Sequence, residues 1–128
     1  MAQRTVLVVE DVECTRRALV RLLEAEGHAV RTACTVREAL PLLEGADVAI
    51  LDLCLPDGSG REVLEMIRRE GRGPRVAFWS GSGRAVVDAA VRDLCPDAMF
   101  CKSESIDALV AWVALDPTAS LPLRDAPR

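Results

Sequence analysis

The stretch AILDLCLPDGSG, Ala49 to Gly60, decides how this chain is read. Apolar residues surround a single aspartate, Asp52, and then Pro56, Asp57, Gly58, Ser59 and Gly60 break the run. A short apolar run bounded by turn formers is the signature of a strand buried on both faces, here one whose end holds up a carboxylate.

The same alternation extends in both directions. Four more short runs, TVLVVE (5–10), HAVRTA (28–33), RVAFWS (75–80) and AMFCK (98–102), join DVAILDL (47–53), and a helix-period segment follows each. Five strand-helix pairs predict an α/β fold, a parallel sheet covered by helices on both faces. HAVRTA is the most polar run and suits an edge. The first helix is expected to turn Ala18, Leu19, Leu22 and Leu23 inward and to stop at Gly27. The second opens with Thr35 and Glu38 in capping-box spacing and buries Val36, Ala39, Leu40 and Leu43, with Pro41 shortening or bending it. The third repeats the capping spacing with Ser59 and Glu62 and turns Val63, Leu64, Met66 and Ile67 inward. One domain is expected over residues 1–115. Residues 116–128, with three prolines and no periodicity, read as a disordered tail or linker.

Composition excludes several classes. With 128 residues, 50% apolar and 28% charged, the chain is long enough for one packed core. A formal net charge of -4 and no basic stripe argue against direct nucleic-acid binding. The densest basic run, Arg68, Arg69, Arg72 and Arg75, reads as a solvated helix end and loop. Five cysteines without C-x-x-C spacing indicate neither a disulfide framework nor a zinc site, so a cytoplasmic, reducing compartment is expected. No run approaches the roughly 20 apolar residues of a membrane span.

In an open parallel sheet, ligands gather beyond the carboxyl ends of the strands. There the first, third, fourth and fifth strands would bring Glu10, Asp11, Asp52, Ser80 and Lys102 to one edge. Clustered carboxylates repel one another and need a counter-charge. Mg²⁺ suits oxygen ligands, and with a lysine and a hydroxyl it serves phosphoryl transfer, Asp52 being the carboxylate nucleophile. His28, the only histidine, falls at the opposite edge and reads as structural. Trp79 and Trp112 read as core or partly buried surface.

With those residues in place, the chain resembles the receiver domain of two-component response regulators from about Thr5 to Val113. VLVVED, LDLCLPDGSG, FWSGSG and FCKS look like its four motifs, and Asp52 follows Asp11 by 41 positions and precedes Lys102 by 50. The resemblance implies a doubly wound, flavodoxin-like (βα)5 sandwich with strand order 2-1-3-4-5. It implies a phosphoprotein whose Asp52 takes phosphate from a histidine kinase or phosphotransfer protein. Asp11 would bind Mg²⁺ directly, Glu10 through water, and Cys54 through its backbone carbonyl. Ser80 and Lys102 would hold the phosphoryl oxygens. Phosphorylation would draw the Ser80 loop inward and change the surface of the fourth helix, fifth strand and fifth helix toward an effector protein or domain, with homodimerisation through that surface a further option.

Two positions depart from the family pattern. Ser103 follows Lys102 where proline is usual, and Met99 stands where a switch aromatic is common, with Phe100 beside it. They leave a second reading open, a phosphorylation-independent interaction module of the same fold. A Mg²⁺-dependent aspartyl phosphohydrolase is disfavoured, because many carry a second acid where Cys54 stands. A flavin carrier is disfavoured because Glu10 and Asp11 would repel its phosphate.

Overall fold

The computed structural model describes residues 3–115, and the predicted tail lies outside them. Five parallel strands, β1 (Thr5–Val9), β2 (Ala29–Ala33), β3 (Val48–Leu51), β4 (Arg75–Ser80) and β5 (Ala98–Cys101), form one sheet in the order β2-β1-β3-β4-β5. The expected order is therefore observed, with the polar β2 at an edge. Five helices connect and follow the strands: α1 (Glu13–Ala25), α2 (Val36–Ala39), α3 (Gly60–Glu70), α4 (Arg84–Val91) and α5 (Ile106–Ala114). Among them no helix is long and apolar enough to cross a membrane.

Period-two alternation within fully buried strands splits the core in two. Leu7, Val9, Ala49, Leu51, Val76 and Phe78 meet Val36 and Ala39 of α2, Val63, Leu64 and Ile67 of α3, and Val87 and Val91 of α4. Val6, Val8, Val48, Ile50, Ala77 and Trp79 meet Leu19 and Leu23 of α1 and Leu109 and Val113 of α5. Each fully buried Val, Leu or Phe side chain stabilises this sandwich by about 1.5–3 kcal/mol. A change of register by one residue would exchange the two faces, so packing pins the strands that carry the acids.

The helices depart from expectation in detail. In α1 only Leu19 and Leu23 are buried; Leu22 is 38% exposed and Ala18 is exposed too. The inward stripe follows the four-residue spacing Thr15–Leu19–Leu23, and Leu22 lies one residue's rotation off it. Pro41, which lacks a backbone N–H, stops α2 after four residues, and the chain continues as a 3-10 turn, Leu40–Leu42. Thr35 Oγ1 accepts from the Glu38 N–H at 3.0 Å, but Glu38 reaches back to the Cys34 N–H, at 2.8 Å, one residue beyond the expected box. Ser59 caps α3 through the Arg61 N–H, at 3.1 Å, and not through Glu62. The Pro56–Gly60 punctuation hides a small antiparallel hairpin, in which Cys54 pairs with Ser59 and Leu55 with Gly58.

The basic run is exposed at Arg68, Arg69 and Arg72, as expected of a helix end and loop, and half-buried at Arg75. Arg68 donates to the carbonyls of Leu94 and Cys95, at 2.8 and 2.6 Å, tying α3 to the end of α4. Arg75 lies 4.4 Å from the centroid of the Trp112 ring, and its Nη2 donates to the Val113 and Leu115 carbonyls, at 3.3 Å each. With Arg4 Nη2 donating to Leu115 at 2.7 Å, these side chains cap α5, which has no basic residue in its own last turn.

His28 packs at the amino-terminal edge of the sheet, 5% exposed, and its Nδ1 accepts the Arg4 N–H at 3.0 Å. Burial lowers its pKa from 6.5; Arg4 adds to the effect and Glu26 opposes it. The fold therefore favours neutral His28. No protonation penalty acts well above 6.5, and one develops as pH falls from 6.5 through the lower folded value. Wild type should lose more thermal stability than His28→Gln between about pH 7.5 and about pH 5.5, read as melting midpoints. Equal losses would show that His28 does not carry this dependence.

Candidate functional site

Register brings the acids together. Val9 of β1 pairs with Leu51 of β3, so Glu10 and Asp52 each lie one residue past the same rung. The Glu10 N–H donates to Ala33 and the Asp52 N–H to Val9, at 3.0 and 3.2 Å. On the other side Ser80 pairs with Cys101, and the Lys102 N–H donates to the Ser80 carbonyl at 2.9 Å. The edge lies at the β1/β3 junction, where strand order reverses.

Lys102 joins the elements through its side chain. Its Nζ donates to Asp52 Oδ2 at 2.8 Å and forms an ion pair with Glu10 Oε1. Burial pushes the ammonium pKa down, but the hydrogen bonds and charges of Asp52 and Glu10 outweigh this, and the net shift is upward. The ammonium also lies 5.3 Å from the centroid of Trp79, so a buried indole borders the site.

The cluster has acceptor capacity to spare. Glu10, 1% exposed, uses Oε2 to accept the Val12 N–H at 3.0 Å, while its buried Oε1 pairs with the Lys102 ammonium. Glu10, Asp11 and Asp52 each offer a carboxylate oxygen within 4.8 Å of the others. Three carboxylates against one ammonium leave an acidic site, and an all-oxygen set of this kind fits a hard divalent cation such as Mg²⁺. Asp11 is exposed, whereas Asp52 is 8% exposed.

Ser80, 2% exposed, ends β4, and its Oγ accepts the Ser82 N–H at 3.2 Å, folding the following loop back on it. The Cys54 side chain is exposed at the start of the hairpin. Every predicted site residue thus belongs to the carboxyl edge of the sheet or the loops leaving it. His28 lies at the opposite edge, as expected of a structural residue.

Three contributors escaped the sequence reading. Arg16 Nη1 donates to the Glu10 carbonyl at 3.0 Å, bracing the acid pair from α1. Asp57 holds the first turn of α2 through Oδ1 and Oδ2, which accept the Val36 and Arg37 N–H groups at 2.8 and 3.0 Å. Gly60, read as punctuation, is buried against the site: a Cβ there would overlap the Asp52 carbonyl and lie 3.0 Å from the Phe78 ring. A helical turn position, a Pro-Asp-Gly turn and a glycine carry no sequence mark of such long-range contacts.

Comparison with known proteins places the chain. The family model for the response regulator receiver domain matches residues 6–114, and the chain belongs to that family. It is 32% identical over 113 residues to the acid tolerance regulatory protein ActR of Rhizobium meliloti (strain 1021), covering 86% of this chain and 58% of that protein. It is 35% identical over 100 residues to the sensor kinase CckA of Brucella abortus (strain 2308), covering 75% of this chain and 10% of the kinase. The chain thus spans well under two thirds of both relatives. Among solved structures, the signal receiver domain of a putative Luxo repressor protein from Vibrio parahaemolyticus superposes with a TM-score of 0.82 at 25% identity, covering 99% of this chain and 100% of that one. Receiver domains are signalling phosphoacceptors of two-component systems and generally not enzymes.

Gly60 supplies a direct test of the packing behind Asp52. Gly60→Ala should cost about 1–3 kcal/mol in urea unfolding, because the backbone of Asp52 and the ring of Phe78 must both move. Wild-type stability in the variant would contradict the close approach.

Proposed function

We propose that this receiver accepts a phosphoryl group on Asp52 from a histidine kinase or phosphotransfer protein. The observation that carries the reading is the buried Asp52 carboxylate, hydrogen-bonded to Lys102 at 2.8 Å and grouped with Glu10 and Asp11. Glu10, Asp11, Asp52 and the Cys54 carbonyl would hold Mg²⁺, which when bound offsets the carboxylate charge and draws charge from the phosphoryl oxygens.

In the transfer an Asp52 oxygen bonds to the phosphorus of a phosphohistidine, the P–N bond breaks, and the departing imidazole keeps the electron pair and takes a proton. Asp52 is suited to this role because burial and the fixed β3 end hold it in one orientation. The Lys102 ammonium, already beside it, pairs with one phosphoryl oxygen, and the Ser80 hydroxyl donates to another. The protein acts as a phosphoacceptor with at most self-catalysed phosphorylation and dephosphorylation.

Phosphorylation then biases the loop after Ser80 toward a second arrangement, altering the surface formed by α4, β5 and α5 for an effector. With Met99 in the place of a switch aromatic, the link between this loop and β5 runs through Arg84. Its guanidinium donates to the Met99 carbonyl and to Glu104, at 3.3 Å each. The Phe100 and Trp112 rings, 6.2 Å apart in an edge-to-face arrangement, join β5 to α5. The reading as a phosphorylation-independent module draws on Met99 and on Ser103, whose hydroxyl lies 3.0 Å from Cys101 Sγ.

Incubation with a small acyl-phosphate donor and Mg²⁺, read by intact-mass spectrometry, tests the reading. Wild type should gain one phosphoryl group, and both Asp52→Asn and removal of the metal by chelation should abolish the gain. Equal labelling of Asp52→Asn contradicts the assignment, and no labelling of wild type supports the phosphorylation-independent module.

A further inference from the structure

The proposed cation ligands come from two separate loops. Glu10 and Asp11 follow β1, whereas the Cys54 carbonyl belongs to the hairpin after β3. A site assembled from two loops binds well only where their relative position is held in advance. The backbone bond from Asp52 to Val9 joins the loops at their base. Asp57 ties the hairpin to a third segment, the start of α2.

Asp57 lies in the turn of the hairpin, between the paired Leu55 and Gly58. Its two carboxylate oxygens accept the Val36 and Arg37 N–H groups at 2.8 and 3.0 Å, across about twenty residues of chain. An N-cap side chain ordinarily serves one of the later donors of a helix. Thr35 does so here, at the Glu38 N–H, and the Asp57 carboxylate, from another loop, accepts from the two donors before it. These charge-assisted bonds hold the Asp57 carboxyl below its usual range. The path closes through β2: the Ala33 carbonyl, three residues before Val36, accepts the Glu10 N–H at 3.0 Å. From Asp57 the hairpin leads back to the Gly60 N–H, which donates to Leu53 at 3.0 Å, beside Asp52.

We propose that Asp57 is a positioning residue for the divalent cation, clamping the Cys54 hairpin to the start of α2 so that the hairpin carbonyl and the Glu10–Asp11 pair keep one separation. The inference rests on the site reading given under Proposed function. Asp57 does not touch the metal; it acts through the hairpin and through β2. Partners bonded directly to metal ligands typically change metal affinity by about 10–100-fold when lost, and Asp57, which acts one step further out, belongs at the lower end of that range. The exposed Asp57 is also the means by which a four-residue helix, too short to be stable alone, is held in place.

Mg²⁺ titration of the full chain, read by tryptophan emission with Trp79 beside Lys102, tests the proposal in wild type, Asp57→Asn and Asp57→Ala. Asp57→Ala should raise the Mg²⁺ dissociation constant about tenfold or more. Asp57→Asn, which keeps one oxygen acceptor, should fall between the two. Melting midpoints measured alongside separate a purely structural role: lower midpoints in both variants with unchanged Mg²⁺ affinity overturn the proposal. Should Asp57→Ala fail to fold, Asp57→Asn carries the test, and wild-type affinity in it is contrary to the clamp. An absent Mg²⁺ response in wild type overturns the site reading itself and this inference with it, whereas equal binding by wild type and variants overturns only the role of Asp57.

Discussion

Among the described residues, Lys102 is the one cation paired with the three clustered carboxylates, and the rest of the site depends on its contacts with Asp52 and Glu10. Its ammonium comes from the end of β5, Asp52 from β3 and Glu10 from β1, so a single side chain fixes the spacing of three strand ends. A buried ion pair of this sort is a weak source of stability, because desolvation cancels much of its attraction. The positive charge that holds the mutually repelling acids together is also the charge that would meet an incoming phosphoryl group.

The apolar sandwich makes that arrangement tolerable. Two cores, one under α2, α3 and α4 and the other under α1 and α5, hold β1 and β3 in register at the centre of the sheet. Close packing behind Asp52, with no room for a methyl group at Gly60, transmits any displacement of that backbone to Phe78 and the α3 face. The far edge is treated differently. There His28, Arg4 and Arg75 satisfy backbone groups of β1 and α5, and polar side chains serve as fasteners.

Most of this was legible in the chain. Runs of Val, Leu and Ile announced strands buried on both faces, and the acids, serine and lysine at the ends of four of the five runs announced the edge at which they would meet. Pro41 correctly marked a short α2. What could not be read were contacts between residues distant in sequence whose types are common in turns. Asp57 in a Pro-Asp-Gly turn has the composition of any turn, and only the folded chain shows its carboxylate on α2. Leu22 was misplaced because an apolar residue next to an inward stripe is counted with it, although one residue of helix turns it by about 100°. Ser59 and Glu62 had the spacing of a capping box, but the cap bond goes to Arg61, since spacing constrains reach and not the chosen donor.

The central claim is that Asp52 is the residue on which the phosphoryl group resides. Borohydride reduction of the protein after reaction with an acyl-phosphate donor in Mg²⁺ converts an aspartyl phosphate to homoserine, whose position peptide mass spectrometry reads directly. Homoserine at position 52, and at none of the other acids, is the predicted result; modification confined to Asp11 or Glu10, or none at all in protein that has gained a phosphoryl group, would contradict it.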